Sequence, residues 1–302
     1  METFEFSPKG SFDLINQSRY FDNCASLTCQ SNQVIVSFPI EDSWHESATI
    51  VFRQPNPNRI TGEVYAKQAV AENGFKQALA FLSLDVDANN WEKIGQKDPV
   101  IGKLQREYNF VRPTLFRSPY EAAVSFVIGN RISIKQRQNI MNEMAEQYGN
   151  KTLIENQAYF AFPTPYQLLN IISFHGINEL KINRLHNIAN AAIEGILDRN
   201  YLRSLPFEIA ITQLKSIPGI GEFYAQAILY RGAGIVNEIT DDDLTPLAIQ
   251  KAYYLPTLPD KKMIKQITAN WEPYKMWCAV LLHIWLRREV GLPTKRKFIV
   301  RS

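Results

Sequence analysis

The sequence predicts an α+β protein: a small N-terminal antiparallel-sheet domain followed by an all-helical core. Three observations carry that expectation. Short stretches of alternating apolar residues lie between Gln33 and Ala66. From about Phe75 onward the apolar residues recur at helical spacing instead. Between two of those helical runs stands the stretch "SIPGIGEFYAQ", a Pro–Gly turn with apolar flanks.

The strands come first. "QVIVSFPI" sets Val34, Val36 and Phe38 on one face. "ATIVFRQ" sets Ile50 and Phe52 against Thr49, Val51 and Arg53, and "ITGEVYA" follows the turn-rich "PNPN". After "FKQALAFLSL" the predicted helices are 120–128, 134–148, 165–172, 182–197, 206–214, 222–230, 246–254 and 274–287. The expected domains are 1–88 and 89–302, the second with room for two helical subdomains and a cleft between them. There is no internal repeat and no low-complexity segment.

Composition narrows the classes. With 302 residues and 45% hydrophobic content, the chain can build one large or a few modest cores. No run of about eighteen apolar residues is present, so no membrane span is expected. "METFEFSPKGSFDL" lacks the basic and apolar regions of a secretory signal. Cys24, Cys29 and Cys278 form no CxxC pair, which argues against a disulfide scaffold, a zinc ribbon or a four-Cys cluster. His45, His175, His186 and His283 show no metal-ligand spacing, and no metal is expected. A reducing, intracellular compartment follows, cytoplasmic in a bacterium and nuclear in a eukaryote. A net charge of +3 permits a nucleic-acid partner without demanding one.

The turn "LKSIPGIGEFYAQ" has a specific chemistry. Pro218 cannot continue the helix before it, and Gly219 and Gly221 allow a tight bend with no side chain in the way. The helix that starts near Glu222 leaves its first N–H groups without intrahelical partners. Such donors, at the positive end of a helix dipole, suit a phosphate. A turn that merely packs two helices together is the alternative. Downstream, "ITDDDLTPLAIQ" puts three aspartates before another helix, with Thr245 as a candidate cap and Pro246 at its first position. Capping alone accounts for Asp241 and Asp242.

The string "IPGIGEFYAQAILYRGAG…DDDLTPLAIQKA" resembles the helix-hairpin-helix DNA glycosylase superfamily, within it the alkylbase branch of 3-methyladenine DNA glycosylase II. The segments "EAAVSFVIGNRISIKQ", "FAFPTPYQLL", "LKINRLHNIANAAIEGIL" and "WEPYKMWCAVLLHIW" agree with it, so the resemblance spans about residues 75–286. It implies a helix-hairpin-helix glycosylase core acting as a monomer on double-stranded DNA with alkylated bases, with no membrane partner. It implies a catalytic Asp after the hairpin, in the register of Asp243, with Asp242 one position away. The pocket would use Phe223, Tyr224 and Trp285, and Ala227 stands where some relatives have an aromatic residue. Phosphate would meet the turn at Ile217, Gly219 and Gly221. Asn130 and Arg131 are the candidates for the residue that fills the gap left by a flipped base. Phe223 occupies the register of the lysine that lyase relatives use, so a monofunctional enzyme is implied. No organic cofactor is expected, and the resemblance adds a monovalent cation around Ile217–Gly221 when DNA is bound. The basic stretch Lys295–Arg301 would add phosphate attraction or be a terminal tail. A non-catalytic DNA grip and a glycosylase for oxidised bases are the rival readings.

Overall fold

The computed structural model describes residues 1–18, 27–30, 32–239 and 241–290. Cys24 and the basic stretch from Lys295 lie outside them. Seven strands occur among these residues: β1 (Glu2–Phe6), β2 (Leu27–Gln30), β3 (Gln33–Pro39), β4 (Ser47–Asn56), β5 (Arg59–Tyr65), β6 (Lys151–Ile154) and β7 (Gln157–Phe160). The helices in chain order are α1 (Leu14–Ser18), α2 (Gln68–Phe81), α3 (Trp91–Lys97), α4 (Pro99–Glu107), α5 (Pro119–Gly129), α6 (Ile134–Tyr148) and α7 (Pro165–Leu169). They continue with α8 (Glu179–Ile193), α9 (Arg199–Ser204), α10 (Phe207–Lys215), α11 (Glu222–Ile228), α12 (Leu244–Ala252), α13 (Lys261–Thr268) and α14 (Lys275–Trp285).

The chain groups into two compact units, one of residues 1–90 and 111–235, the other of 91–110 and 236–302. Within the first, five antiparallel strands form a sheet in the order β1-β5-β4-β3-β2. The alternation read from the sequence decides what each face does. Val34, Val36, Phe38, Ile50 and Phe52 point to one side and are buried with Phe75, Ala78 and Leu79 of α2. Gly62 of β5 is where Phe75 comes close: a Cβ there would sit 2.4 Å from its ring.

The opposite face overturns part of the expectation. Residues 151–160, inside the region read as wholly helical, form the hairpin β6–β7. Ile154 and Tyr159 pack on Ile35 and Val51 of the sheet. Two residues with positive φ, Glu155 at 48° and Asn156 at 65°, make its turn. That is the backbone a two-residue hairpin requires, reached here without a glycine, so the usual sequence mark is missing. β1 was likewise not anticipated, and its Phe4 stacks on Phe75 at 5.2 Å.

A second core in this unit gathers Tyr120, Val124, Ile128, Met144, Leu185, Ile188, Leu214, Ile228 and Leu229. Trp44, in the loop after β3, joins it and donates its indole N–H to the Ala192 carbonyl at 3.0 Å. The other unit centres on aromatic residues. Trp277 of α14 is fully buried, stacks on Tyr274 at 5.0 Å and meets Trp91 of α3 edge-on at 5.3 Å. Asp98 caps α4 through the Val100 and Ile101 amides and accepts from Trp271 Nε1 and the Tyr253 hydroxyl. Burial, with Asp98 beside it, pushes the Tyr253 phenol well above its usual range. Among the described residues no helix is long and apolar enough to cross a membrane.

Candidate nucleic-acid interface and catalytic carboxylate

α10 and α11 are the two arms of the Pro–Gly turn. α10 ends because Pro218 lacks an amide and because Gly219 takes φ +100°, a conformation closed to most side chains. Ile217 and Ile220 are buried and anchor the turn, and the Ile220 amide closes it on the Ile217 carbonyl at 3.0 Å. Gly221 is the cap residue of α11, with no side-chain cap. Gly221, Glu222 and Phe223 are exposed, so the unpaired amides that open α11 lie at the surface. The two glycines differ. A Cβ on Gly221 would meet nothing within 4 Å, whereas one on Gly219 would meet Arg184 Cγ and Cδ at 2.7 Å. The space spared by Gly219 thus belongs to Arg184 of α8. The turn's main-chain carbonyls are neutral oxygens, the donor type that a hard monovalent cation accepts, and that of Ile217 already receives the Ile220 amide.

Asn130 and Arg131 form the link between α5 and α6. Asn130 ends α5, and Ser133 opens α6 through a capping box with Gln136. Arg131 between them is exposed and has φ +62°, a strained state for a residue of its size. Lys181 of α8 donates to the Ile128 and Asn130 carbonyls at 2.8 Å each, satisfying the end of α5. Tyr224 stacks on Phe126 of α5 at 5.8 Å, with the Asn130 side chain near its phenol. Burial raises the Tyr224 phenol above its usual value, while Arg184 and Asn130 pull it down. This unit therefore brings the hairpin, Asn130 and Arg131 together, with Tyr224 as the bridge. Phe223, at 56% exposure, points outward from the same helix start. Ala227 is buried on that helix.

The three aspartates have three different situations. Asp241 pairs with Lys261 at the surface, 2.9 Å apart. Asp242 caps α12: its Oδ1 accepts from the Leu244 and Thr245 amides at 2.8 and 2.7 Å. Asp243 is the last residue before the helix, is exposed, and makes no side-chain cap bond. The cap sits earlier than the Thr245 expected from the sequence. Thr245 is buried inside the first turn, its hydroxyl 3.0 Å from His283 Nε2. His283 lies on α14, two residues before the half-buried Trp285 that ends this helix. Asp243 and Trp285 belong to the second compact unit, and the hairpin, Asn130 and Arg131 to the first.

Sequence reasoning missed Lys181, Arg184, Phe126 and His283. The two cations of α8 stand three apart on one helix face, a spacing visible in the sequence but without meaning until the turn beside it is known.

No family model matches the chain. Over 208 residues, 67% of this chain and 68% of the relative, it is 22% identical to the DNA-3-methyladenine glycosylase of Bacillus subtilis (strain 168). Its structure is similar to that of the 3-methyladenine DNA glycosylase from Archaeoglobus fulgidus, with a TM-score of 0.77 at 17% identity, covering 94% of this chain and 98% of that one. It is also similar to the Clostridium acetobutylicum 8-oxoguanine glycosylase/lyase in complex with double-stranded DNA, with a TM-score of 0.66 at 18% identity, covering 96% and 99%. In fold, this chain stands with the helix-hairpin-helix DNA glycosylases.

Proposed function

We propose that the chain is a monofunctional DNA glycosylase that removes alkylated purines, of the 3-methyladenine and 7-methylguanine type, from duplex DNA by hydrolysis of the N-glycosidic bond. The observation that carries this reading is the state of Asp243. Of three consecutive carboxylates, one is held in an ion pair and one is spent on a helix cap. The third stands exposed at a helix start with no bond recorded to it among the described residues.

Breaking an N-glycosidic bond builds positive charge on the deoxyribose. A carboxylate beside the sugar stabilises that charge or orients the attacking water. At about 4 Å and an effective dielectric of about 20, opposite unit charges attract by about 4 kcal/mol. That is worth roughly a thousandfold in rate. An N-alkylated purine is itself cationic and departs neutral, so no second acid is needed to protonate it. The base must leave the stack before the sugar is reached. In this reading Arg131 enters the gap, while exposed Phe223 offers its face to a cationic base. Tyr224, stacked on Phe126, is a further aromatic residue that this reading assigns to the pocket. The amides opening α11 take a phosphate, and the carbonyls of residues 217–221 would hold a monovalent cation beside it.

The test is release of free bases from methylated duplex DNA. Asp243→Asn lowers release by about a thousandfold, the size of the charge effect above, and leaves duplex affinity equal or higher. Full activity of that variant rejects the assignment. A second reading, excision of an oxidised base, is favoured by the likeness to the 8-oxoguanine glycosylase/lyase. A duplex carrying 8-oxoguanine belongs in the same assay. Borohydride trapping of a protein–DNA adduct would overturn the monofunctional reading, since Phe223 offers no amine for a Schiff base.

A further inference from the structure

Arg184, like the exposed Arg131, differs from the partnered arginines of its compact unit. Arg117, Arg199 and Arg203 are paired with Glu121, Glu41 and Asp85. Arg112 and Arg231 spend their guanidinium groups on main-chain carbonyls. Arg184 has no ion pair and no hydrogen bond recorded among the described residues. Another cation, Lys181, stands one turn back on α8 and feels the Arg184 charge. Lys181 is held below its usual value, first by burial and then by the Arg184 charge. The groups that do face the pair are neutral: the Ile128 and Asn130 carbonyls on Lys181, and the Tyr224 phenol near Arg184.

Two half-buried cations that bond to no carboxylate among the described residues are costly to hold together unless an anion completes them. The position of Arg184 says where that anion would come from. Its stem lies against Gly219, so close that a Cβ there would touch Cγ and Cδ at 2.7 Å and Nε at 3.0 Å. The guanidinium is thereby laid beside the turn whose outer amides are exposed. A planar fork with five donors matches the oxygens of a phosphodiester, singly or bidentately.

We propose that Arg184 is a phosphate contact of the duplex, gripping the strand next to the point where the hairpin amides meet it. This deepens the DNA-binding part of the function proposed above and rests on it. It also gives Gly219 a second duty: any side chain there displaces the arginine.

The experiment is equilibrium binding of the full chain to a short undamaged duplex over a series of salt concentrations, read by fluorescence anisotropy. One released counterion is worth about 0.9 in the slope of log K against log salt and about eightfold in affinity at 0.1 M salt. Arg184→Gln keeps most of the stem and loses the charge. Its affinity falls by about that factor and its slope becomes shallower by about 0.9. Arg184→Lys keeps the charge and holds the wild-type slope. Thermal melts of the variants confirm that they fold, and Arg184→Met, which also keeps a long stem and loses the charge, carries the test if Arg184→Gln does not fold. Wild-type slopes and affinities in Arg184→Gln, or a charge-loss slope in folded Arg184→Lys, overturn the proposal. A wild-type chain that fails to bind duplex at all rejects the DNA reading and this contact together. Duplex binding that ignores position 184 rejects the contact alone.

Discussion

Gly219 and Gly221 stand two residues apart in one turn and answer different demands. At φ +100° and under the stem of Arg184, Gly219 is required by its own backbone and by its neighbour. Gly221 is extended, at φ −94° and ψ 179°, with open space where a Cβ would be. Gly219→Ala is expected to cost about 1–2 kcal/mol from the left-handed backbone alone, and to weaken duplex binding as Arg184 is pushed aside. Gly221→Ala is expected to stay within about 0.5 kcal/mol, since an extended cap position accepts alanine with only a small loss. Urea unfolding and duplex titration of the two variants check this; equal costs at both positions contradict it. In the sequence the two glycines are indistinguishable, because φ and the reach of a side chain from another helix are not written there. The same holds for the aspartates. "DDD" announces a helix start, but only the structure says that Asp242 is the cap and that Asp243 is left over.

At the scale of elements, α12 shows what a cap does for a candidate catalytic group. Asp242 holds the first turn, and the Thr245–His283 contact ties that turn to α14. Asp242→Ala is expected to destabilise the chain by about 1 kcal/mol. It should lower base release far less than Asp243→Asn does. Thermal melts paired with the base-release assay separate the two effects, and a D242A variant as inactive as D243N would reverse their roles. Element legibility followed the length of the periodic signal. α6 has the bounds 134–148 read from the sequence, helped by its capping box. α7 is shorter than its apolar pattern, ending at Leu169. The α-helical part of α11 stops at Ile228, where residues 229–233 widen into a π-turn that no propensity announces. β6 and β7 were missed because four-residue strands offer too few positions for a period of two to stand out against a helical one. α12 starts two residues ahead of its predicted start because proline is tolerated anywhere an amide would have been unpaired.

For the molecule as a whole, distant stretches of the first compact unit meet at Arg199. Its guanidinium pairs with Glu41 at 3.0 Å and donates to the Gly232 and Arg117 carbonyls at 2.8 and 2.7 Å. Burial raises Glu41 above the ordinary carboxylate value of 4.5, outweighing the pull of Arg199, and burial does the same to Glu121 against Arg117. The sign of the linkage follows. Between 4.5 and the raised values the folded chain binds more protons than the unfolded one. The stability these groups contribute is complete below 4.5 and is lost as pH rises through their folded values. Glu41→Gln, which cannot titrate, is expected to flatten the fall in stability with rising pH over that window. Urea midpoints measured across it for both chains decide the matter, and an unchanged pH profile in the variant removes Glu41 from the account.

The path of the chain between its two compact units bears on how the protein is made. Trp91 finds its ring partners, Trp277 and Tyr274, and Asp98 its side-chain donors, Tyr253 and Trp271, in the segment that begins at Val236. The ribosome must deliver the whole stretch 111–235 before the first of those partners exists. At roughly 5–20 residues per second that is a delay on the order of ten seconds. Through it, the apolar faces of α3 and α4 wait for their cover, while the larger unit already has every residue it needs.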